Sequence, residues 1–400
     1  MKILHVIASI APRYGGPSKA CFEMARAVAR MGHTASIYTT NQDGSAELHV
    51  PTHEPVFREG VEIRYFPIQR PRSWSVSIPL ALALRRAIPE YDLVHLHSLY
   101  LFHGAAAGHY CRKYGVPYLI RPHSTLDPFI YRRHRLRKSL AELLFEHRNI
   151  KHAAAIHFTT EEERRLAEPY TFQTPGIVVP LGLELSAYEN LPEPDSFRSR
   201  HPETRGKRII LFYGRINFKK GLDILVRAFG SVARLRDDAH LVIAGPDNEG
   251  WARRVRGWLL DEGVCDRATF TGMLQGTDAL ALMRDAEMLV LPSHSENFGI
   301  SVIEAMACGL PVIISDRVNI FREVEASLGG RVAPLRPDAF AHAMVDLLDH
   351  PEMARQMGQC GRAFVRAHYD WSTVAVALQD AYRSVVSGSL RDGRPREAET

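Results

Sequence analysis

"EMLVLPSHSENFGISVIEAMACGLPVIIS", residues 287–315, reads as a complete β-α-β unit. The apolar run EMLVLPS is a buried strand, HSENFG a turn, and ISVIEAMAC a short helix. Gly309 and Pro311 stop that helix, as a glycine past the last turn followed by proline commonly does. PVIIS is then the next strand. The turn therefore lies at the carboxyl end of a parallel strand, where open α/β sheets bind ligands. Two carboxylates stand there. Glu296 sits at the helix entrance beside Ser295, a candidate cap, where it can complement the helix dipole or hold a polar ligand. Glu304 lies among Ile300, Val302, Ile303, Ala305, Met306 and Ala307, which leave little polar surface. A carboxylate there needs donors, either ribose hydroxyls or protein groups. The N–H groups of Phe298, Gly299 and Ile300 offer a neighbouring anion site.

The same alternation of short apolar runs and helical patterns extends outward in both directions. KILHVIAS, TASIYTT, DLVHLHS, PYLIRP and AAAIHFTT read as strands of one series; RIILFYG, HLVIAG, ATFTG, EMLVLPS and PVIIS form a second. Such alternation implies parallel sheets with helices on both faces, so the expected fold class is α/β, with two doubly wound domains. The stretch LGLELSAYENLPEPDSFRSRHPETRGK, rich in Pro, Glu, Ser and Arg, separates the series. It sets the expected domains at 1–183 and 184–370, with a tail over 389–400 that lacks apolar periodicity.

FYGRINFKKGLDIL, residues 212–225, places Arg215 and Lys220 in a loop feeding a helix that begins near Gly221. Positive charge there opposes the macrodipole, unless an anion such as phosphate lies between the two side chains. The plainer alternative is a solvated basic loop, the reading given to Lys219. Gly15 and Gly16, between the first strand and its helix, permit close backbone approach to a ligand, yet form no G-x-G-x-x-G. His123 ends another strand, as a packed or capping residue or as a ligand contact. YRRHRLRKSLAELLFEHRNIKHAAA carries Arg132, Arg133, Arg135, Arg137 and Lys138 on a helical segment. It is either a solvated face or a surface for an anionic membrane or acidic acceptor.

Bulk properties narrow the classes. The 400 residues suit two domains at roughly 100–200 residues each. Hydrophobic residues at 46% and charged residues at 24% fit a folded soluble protein. A net charge of +5 is too small over this length to argue for nucleic acid. Five dispersed cysteines without a C-x-x-C pair read as free thiols, with no metal-ligand spacing. His5 interrupts the apolar opening, which reads as a first strand rather than a signal peptide. No apolar run approaches the ~18 residues of a spanning helix. The expected location is cytoplasmic, with peripheral contact to the inner face of the cell membrane as an added expectation.

The G-R-x4-K-G of Gly214 to Gly221 and the E-x7-E of Glu296 and Glu304, in this order, resemble the retaining GT-B glycosyltransferases of family 4, the glycosyl transferases group 1. The likeness runs from the Gly-Gly loop to the helices before the tail, and RPHSTLDP with its basic segment is similar to a bacterial exopolysaccharide or O-antigen subgroup. The resemblance implies two Rossmann-like domains facing a cleft, and a final segment, 371–388, that crosses back to the first. It implies a UDP- or GDP-sugar donor on the second domain, a saccharide or lipid-linked saccharide acceptor on the first, and no cofactor or metal. Arg215 and Lys220 would hold the diphosphate, Glu304 the ribose, and Glu296 with Phe298 to Ile300 the sugar. Gly15 and Gly16 would approach the diphosphate, His123 the sugar, and Thr271, Gly272, Met273 and Leu274 the base. His294 and Asn297 depart from many relatives. Another nucleotide-sugar activity (an epimerase or phosphorylase-like enzyme) and a non-catalytic assembly partner are the alternatives. The intact charged positions argue against the second.

Overall fold

The computed structural model describes residues 1–131 and 135–390. Contacts divide the chain into two units, Met1–Gly182 with the segment from Trp371, and Leu183–Asp370.

The N-terminal unit is built on eight strands in the order Gly176–Val178, Ala155–Phe158, Tyr118–Arg121, Leu93–His97, Lys2–Ser9, Thr34–Thr40, Val61–Phe66, Val56–Arg58. Neighbours are parallel except the last pair. These last two strands lie outside the series expected from sequence, because VEIRYF is half-buried and lacks a continuous apolar run. One face of the sheet, including Leu4, Val6, Val94, Leu96, Ile120 and Ile156, packs on a core shared with Leu80, Leu84 and Ala107. Helices Gly16–Arg30 and Trp371–Val386 belong to this unit as well.

The C-terminal unit has six strands, all parallel, in the order Ala268–Gly272, Ala239–Ala244, Arg208–Tyr213, Ala286–Leu291, Val312–Ser315, Gly330–Ala333. Ala239–Ala244 is buried along its whole length, as a central strand covered on both faces must be. Helix Leu222–Leu235 buries Leu222, Leu225, Val226, Phe229, Val232 and Ala233, a stripe at helical spacing. The doubly wound α/β architecture expected from the alternating series is what the chain forms.

Both sheets reverse strand order, the C-terminal one once. In the C-terminal unit the reversal lies between Arg208–Tyr213 and Ala286–Leu291, so the loops leaving these two strands open at a topological switch point. They are the Gly214–Gly221 loop and the Pro292–Gly299 loop.

Of the basic segment, Arg132 and Arg133 lie outside the described residues, whereas Arg135, Arg137 and Lys138 fall in helix Arg135–Ala141. Of the tail, residues 391–400 lie outside them too.

Candidate active site

The Gly214–Gly221 loop is built by its sequence. Asn217 caps a single 3-10 turn, Phe218–Lys220, by accepting from the Lys219 N–H at 3.1 Å. Gly221 then takes a left-handed φ of 63° to start helix Leu222–Leu235. A Cβ at Gly221 would fall 1.8 Å from the Pro292 carbonyl oxygen, so only glycine lets the two loops touch. The His294 N–H donates to the Lys219 carbonyl at 2.7 Å, a second tie between the loops.

This docking brings Lys220 onto Glu296. The Lys220 ammonium forms an ion pair with the Glu296 carboxylate, both side chains mostly shielded from solvent. Burial pushes the Glu296 carboxyl up, but Lys220, with Lys219 and Arg215 beyond it, holds it below its ordinary value overall. Arg215 is exposed, and among the described residues it makes no hydrogen bond or ion pair. One cation is thus neutralised and a second stands open beside it.

Sequence placed Glu296 at the helix entrance with Ser295 as cap; the structure corrects this. Glu296 is pinned in a bridge with Val318, donating from its N–H to the Arg317 carbonyl at 3.0 Å and accepting from the Asn319 N–H at 2.9 Å. The cap of helix Ile300–Ala307 is Gly299, at a left-handed φ of 72°. Its place could not go to Ser295, because the turn after Val312–Ser315 holds the chain through Glu296. The N–H groups of Phe298, Gly299 and Ile300 come at the start of this helix, where no intrahelical carbonyl serves them. Phe298 itself is buried and meets the Tyr369 ring edge-on at 5.5 Å.

Glu304 is half-buried and has a protein donor that sequence reasoning missed, the Tyr188 hydroxyl. Burial pushes that hydroxyl well above its ordinary value, and the carboxylate adds to the effect. Tyr188 closes the short turn Leu185–Tyr188 in the stretch read only as a separator, and its carbonyl accepts from Arg362 at 3.2 Å. No local pattern marks such a residue.

Thr271 and Gly272 end the edge strand of the same sheet, with Met273 and Leu274 following; Tyr213 donates its hydroxyl to the Leu274 carbonyl at 3.1 Å. His294 faces Asp223 at 3.4 Å, and this contact holds the Asp223 carboxyl below its ordinary value. Beside them Phe218, Trp251 and Trp258 line an open cavity of about 280 Å³, another feature without a sequence signal.

The remaining candidates belong to the N-terminal unit. Gly15 has φ 66° and precedes helix Gly16–Arg30. His123 follows strand Tyr118–Arg121 in a left-handed conformation, φ 51°, and its ring bonds to His97. The expectation of no metal-ligand grouping needs one amendment. His5, Cys21 and His97, remote in sequence, bring ligand atoms within 4.8 Å of one another in this unit's core.

Residues 15–182 match the family model for the glycosyl transferase 4-like domain, and residues 194–364 that for glycosyl transferases group 1. An uncharacterised glycosyltransferase of Methanocaldococcus jannaschii is 26% identical, over 96% of this chain and 98% of its own length. The GDP-mannose-dependent alpha-(1-6)-phosphatidylinositol dimannoside mannosyltransferase of Mycobacterium tuberculosis is 28% identical over 68% of each chain. Among solved structures, sucrose-phosphate synthase of Thermosynechococcus elongatus superposes with a TM-score of 0.78, at 21% identity, over 97% of this chain and 100% of that one. Anabaena HepE in complex with UDP gives 0.77, at 17% identity, over 96% and 100%. These neighbours share the GT-B fold.

Proposed function

This chain belongs to the glycosyltransferases, and from that premise we propose that it moves a hexosyl group from a nucleoside-diphosphate sugar to a saccharide or lipid-linked saccharide. The anomeric configuration is retained, and the product serves cell-surface polysaccharide synthesis. The observation that carries this reading is the Lys220–Glu296 ion pair with open Arg215 beside it, at the switch point of a parallel sheet.

The donor diphosphate lies against Arg215 and Lys220, whose charges meet the negative charge that builds as the anomeric C–O bond breaks. Two cations at the diphosphate supply the neutralisation a metal would otherwise give, and no cofactor is used. Glu304 accepts from the ribose hydroxyls. Glu296, released from Lys220, accepts from the sugar, beside the N–H groups of Phe298, Gly299 and Ile300. The backbone of Thr271 to Leu274 receives the base. Gly15 and Gly16 allow close approach to the diphosphate, and His123 contacts the sugar. The acceptor hydroxyl attacks the anomeric carbon on the leaving-group side, and its proton passes to a donor phosphate oxygen. Glu296 binds the sugar and does not attack it.

The test is a thermal-shift panel of nucleoside diphosphates and their sugars, since a ligand bound only by the folded state stabilises it by about 2.7 kcal/mol at a hundredfold excess over Kd. HepE was solved with UDP and the mycobacterial relative is GDP-mannose-dependent, so uridine and guanosine donors are its first arms. One donor is expected to raise the melting temperature selectively and to be turned over; a flat panel would remove the donor assignment. Glu304→Gln is expected to weaken nucleotide affinity roughly tenfold, the size of one hydrogen bond to a charged group. Unchanged affinity by calorimetry would leave Glu304 with only its Tyr188 partner.

Among the described residues no helix is long and apolar enough to cross a membrane. A peripheral surface fits the helical run after Arg135, where Leu140, Leu143 and Leu144 are 50%, 83% and 65% exposed. Arg148 and Lys151 are exposed in the next helix. Apolar side chains next to cations suit the interface of an anionic bilayer. The protein is expected to float with anionic vesicles at low salt, and Leu143→Ser with Leu144→Ser to abolish this. Flotation indifferent to lipid charge and salt would remove the proposal.

A further inference from the structure

The N-terminal unit buries a layer of histidines for which the reaction above has no use. Residues i and i+2 of a strand share a face, and the register sets His5 beside His95 and His97 beside Arg121. His157 joins them from the next strand, with Nδ1 at 3.3 Å from Nε2 of His95. The layer lies under helices Gly16–Arg30 and Trp371–Val386, from which Met24 meets Arg121 and Tyr382 meets His95.

Two of these rings form a chain leading to His123. His5 Nδ1 lies 3.0 Å from His97 Nε2, and His97 Nδ1 lies 3.1 Å from His123 Nε2. At the inner end His5 Nε2 is buried and has no hydrogen-bond partner among the described residues. At the outer end His123 is partly exposed, and both it and Ser124 hold left-handed backbones, φ 51° and 68°. Paired strain of this kind gathers where a side chain must be aimed.

The orphan atom decides where the protons are. Burial lowers His5 to about 3 and holds His97 and His123 well below the ordinary imidazole value, so each ring is neutral and carries one proton. A buried N–H without an acceptor is rarer in proteins than an under-used acceptor, so His5 Nε2 is the bare nitrogen. The His5 proton then sits on Nδ1 and is donated to His97 Nε2. That leaves the His97 proton on Nδ1, donated to His123 Nε2, and the His123 proton on its own Nδ1.

We infer that His97 is a positioning residue: the His5–His97–His123 chain fixes three tautomers in one direction and presents His123 to the donor sugar as an Nδ1–H donor, not as a base. The inference rests on the reading of His123 as a sugar contact, but the tautomer itself does not. A metal at His5, Cys21 and His97 is the competing use of these atoms. It is opposed by burial, which pushes the Cys21 thiol well above its ordinary value despite the pull of the buried Arg121 guanidinium toward thiolate.

Long-range proton–nitrogen spectra of the unliganded full chain test this, with His123→Ala to assign the signals. In the wild type His123 should show a pyrrole-like Nδ1 and a pyridine-like Nε2. His97→Asn, whose amide nitrogen takes the place of imidazole Nδ1, should keep that state and most of kcat. His97→Phe should lose it and lower kcat roughly 10- to 100-fold, the size expected when a contact group is misplaced, with donor KM little changed. Three results overturn the inference: an Nε2–H His123 in the wild type, a tautomer unmoved in a folded His97→Phe, or stoichiometric metal in the purified protein. The wild-type spectrum decides even if His97→Phe fails to fold. Full transfer by His123→Ala would remove the sugar contact instead, and leave the tautomer result standing.

Discussion

Replacing Lys220 with alanine is expected to lower kcat/KM for transfer roughly a thousandfold, the upper range for loss of one preorganised charge-stabilising donor. The argument has two parts. The departing diphosphate loses the cation nearest its developing charge and retains Arg215. Glu296 also loses its partner while keeping its backbone bridge to Val318, so it stays where it is with its charge uncompensated. Because both side chains keep some solvent contact, this should lower stability by only about 1–2 kcal/mol, and the variant should fold. The two chains should respond to pH with opposite sign. In the wild type the Glu296 carboxyl is held below its unfolded value, so its contribution is complete above that value and lost as pH falls through the folded one. In the variant burial is opposed only by the more distant Lys219 and Arg215, so the carboxyl should rise above its unfolded value and stability should fall as pH rises from that value to the new one. Initial rates with the donor found in the thermal panel, and urea melts at pH 5 and 7, read both effects. Near-normal turnover would detach Lys220 from the diphosphate.

Gly221→Ala should be the more damaging change to the fold around the site. Its φ of 63° is left-handed, which costs an alanine roughly 1–2 kcal/mol. The added Cβ would also lie 1.8 Å from the Pro292 carbonyl oxygen, which belongs to backbone and cannot swing aside. The Gly214–Gly221 and Pro292–Gly299 loops must therefore part. A loss of about 3 kcal/mol or more is expected, as for other strain at a special backbone conformation. Lys220, the preceding residue, would be displaced with the loop, and a shift near 1 Å is enough for a roughly hundredfold fall in rate. Thermal melting and kcat should drop together, and a crystal structure should show the Lys220–Glu296 pair broken. Wild-type melting would mean that the loops do not need this contact.

The inner strands of both sheets were largely legible because a central parallel strand must be apolar on both faces, as IILFY and HLVIA are, whereas Val56–Arg58, Val61–Phe66, Gly176–Val178 and Gly330–Ala333 carry no such run. Gly221 and Gly309 were legible as helix boundaries, since both take left-handed backbones there. Glu304 was recognisable as a carboxylate in need of donors from its apolar neighbours alone. Its donor was not, since Tyr188 approaches from a segment without periodicity. The pairing of Lys220 with Glu296 spans 76 positions and depends on which strands flank the switch point, a matter of topology that composition does not encode. The histidine layer escaped notice for the same reason. Each strand contributes one or two polar residues that look harmless singly, and only the register sets them side by side.

The Lys220–Glu296 pair also bears on how the proposed enzyme chooses and discharges its ligand. An empty site whose lysine already holds a carboxylate is a poor trap for stray phosphate, because capturing the anion would strand Glu296. Only a ligand that brings a diphosphate for the lysine and hydroxyls for the glutamate repays both halves of the exchange. Once the sugar has left for the acceptor, the nucleoside diphosphate satisfies Lys220 but nothing satisfies Glu296. Re-closure of the pair would then compete with the spent nucleotide, so on this proposal the same contact would favour product release.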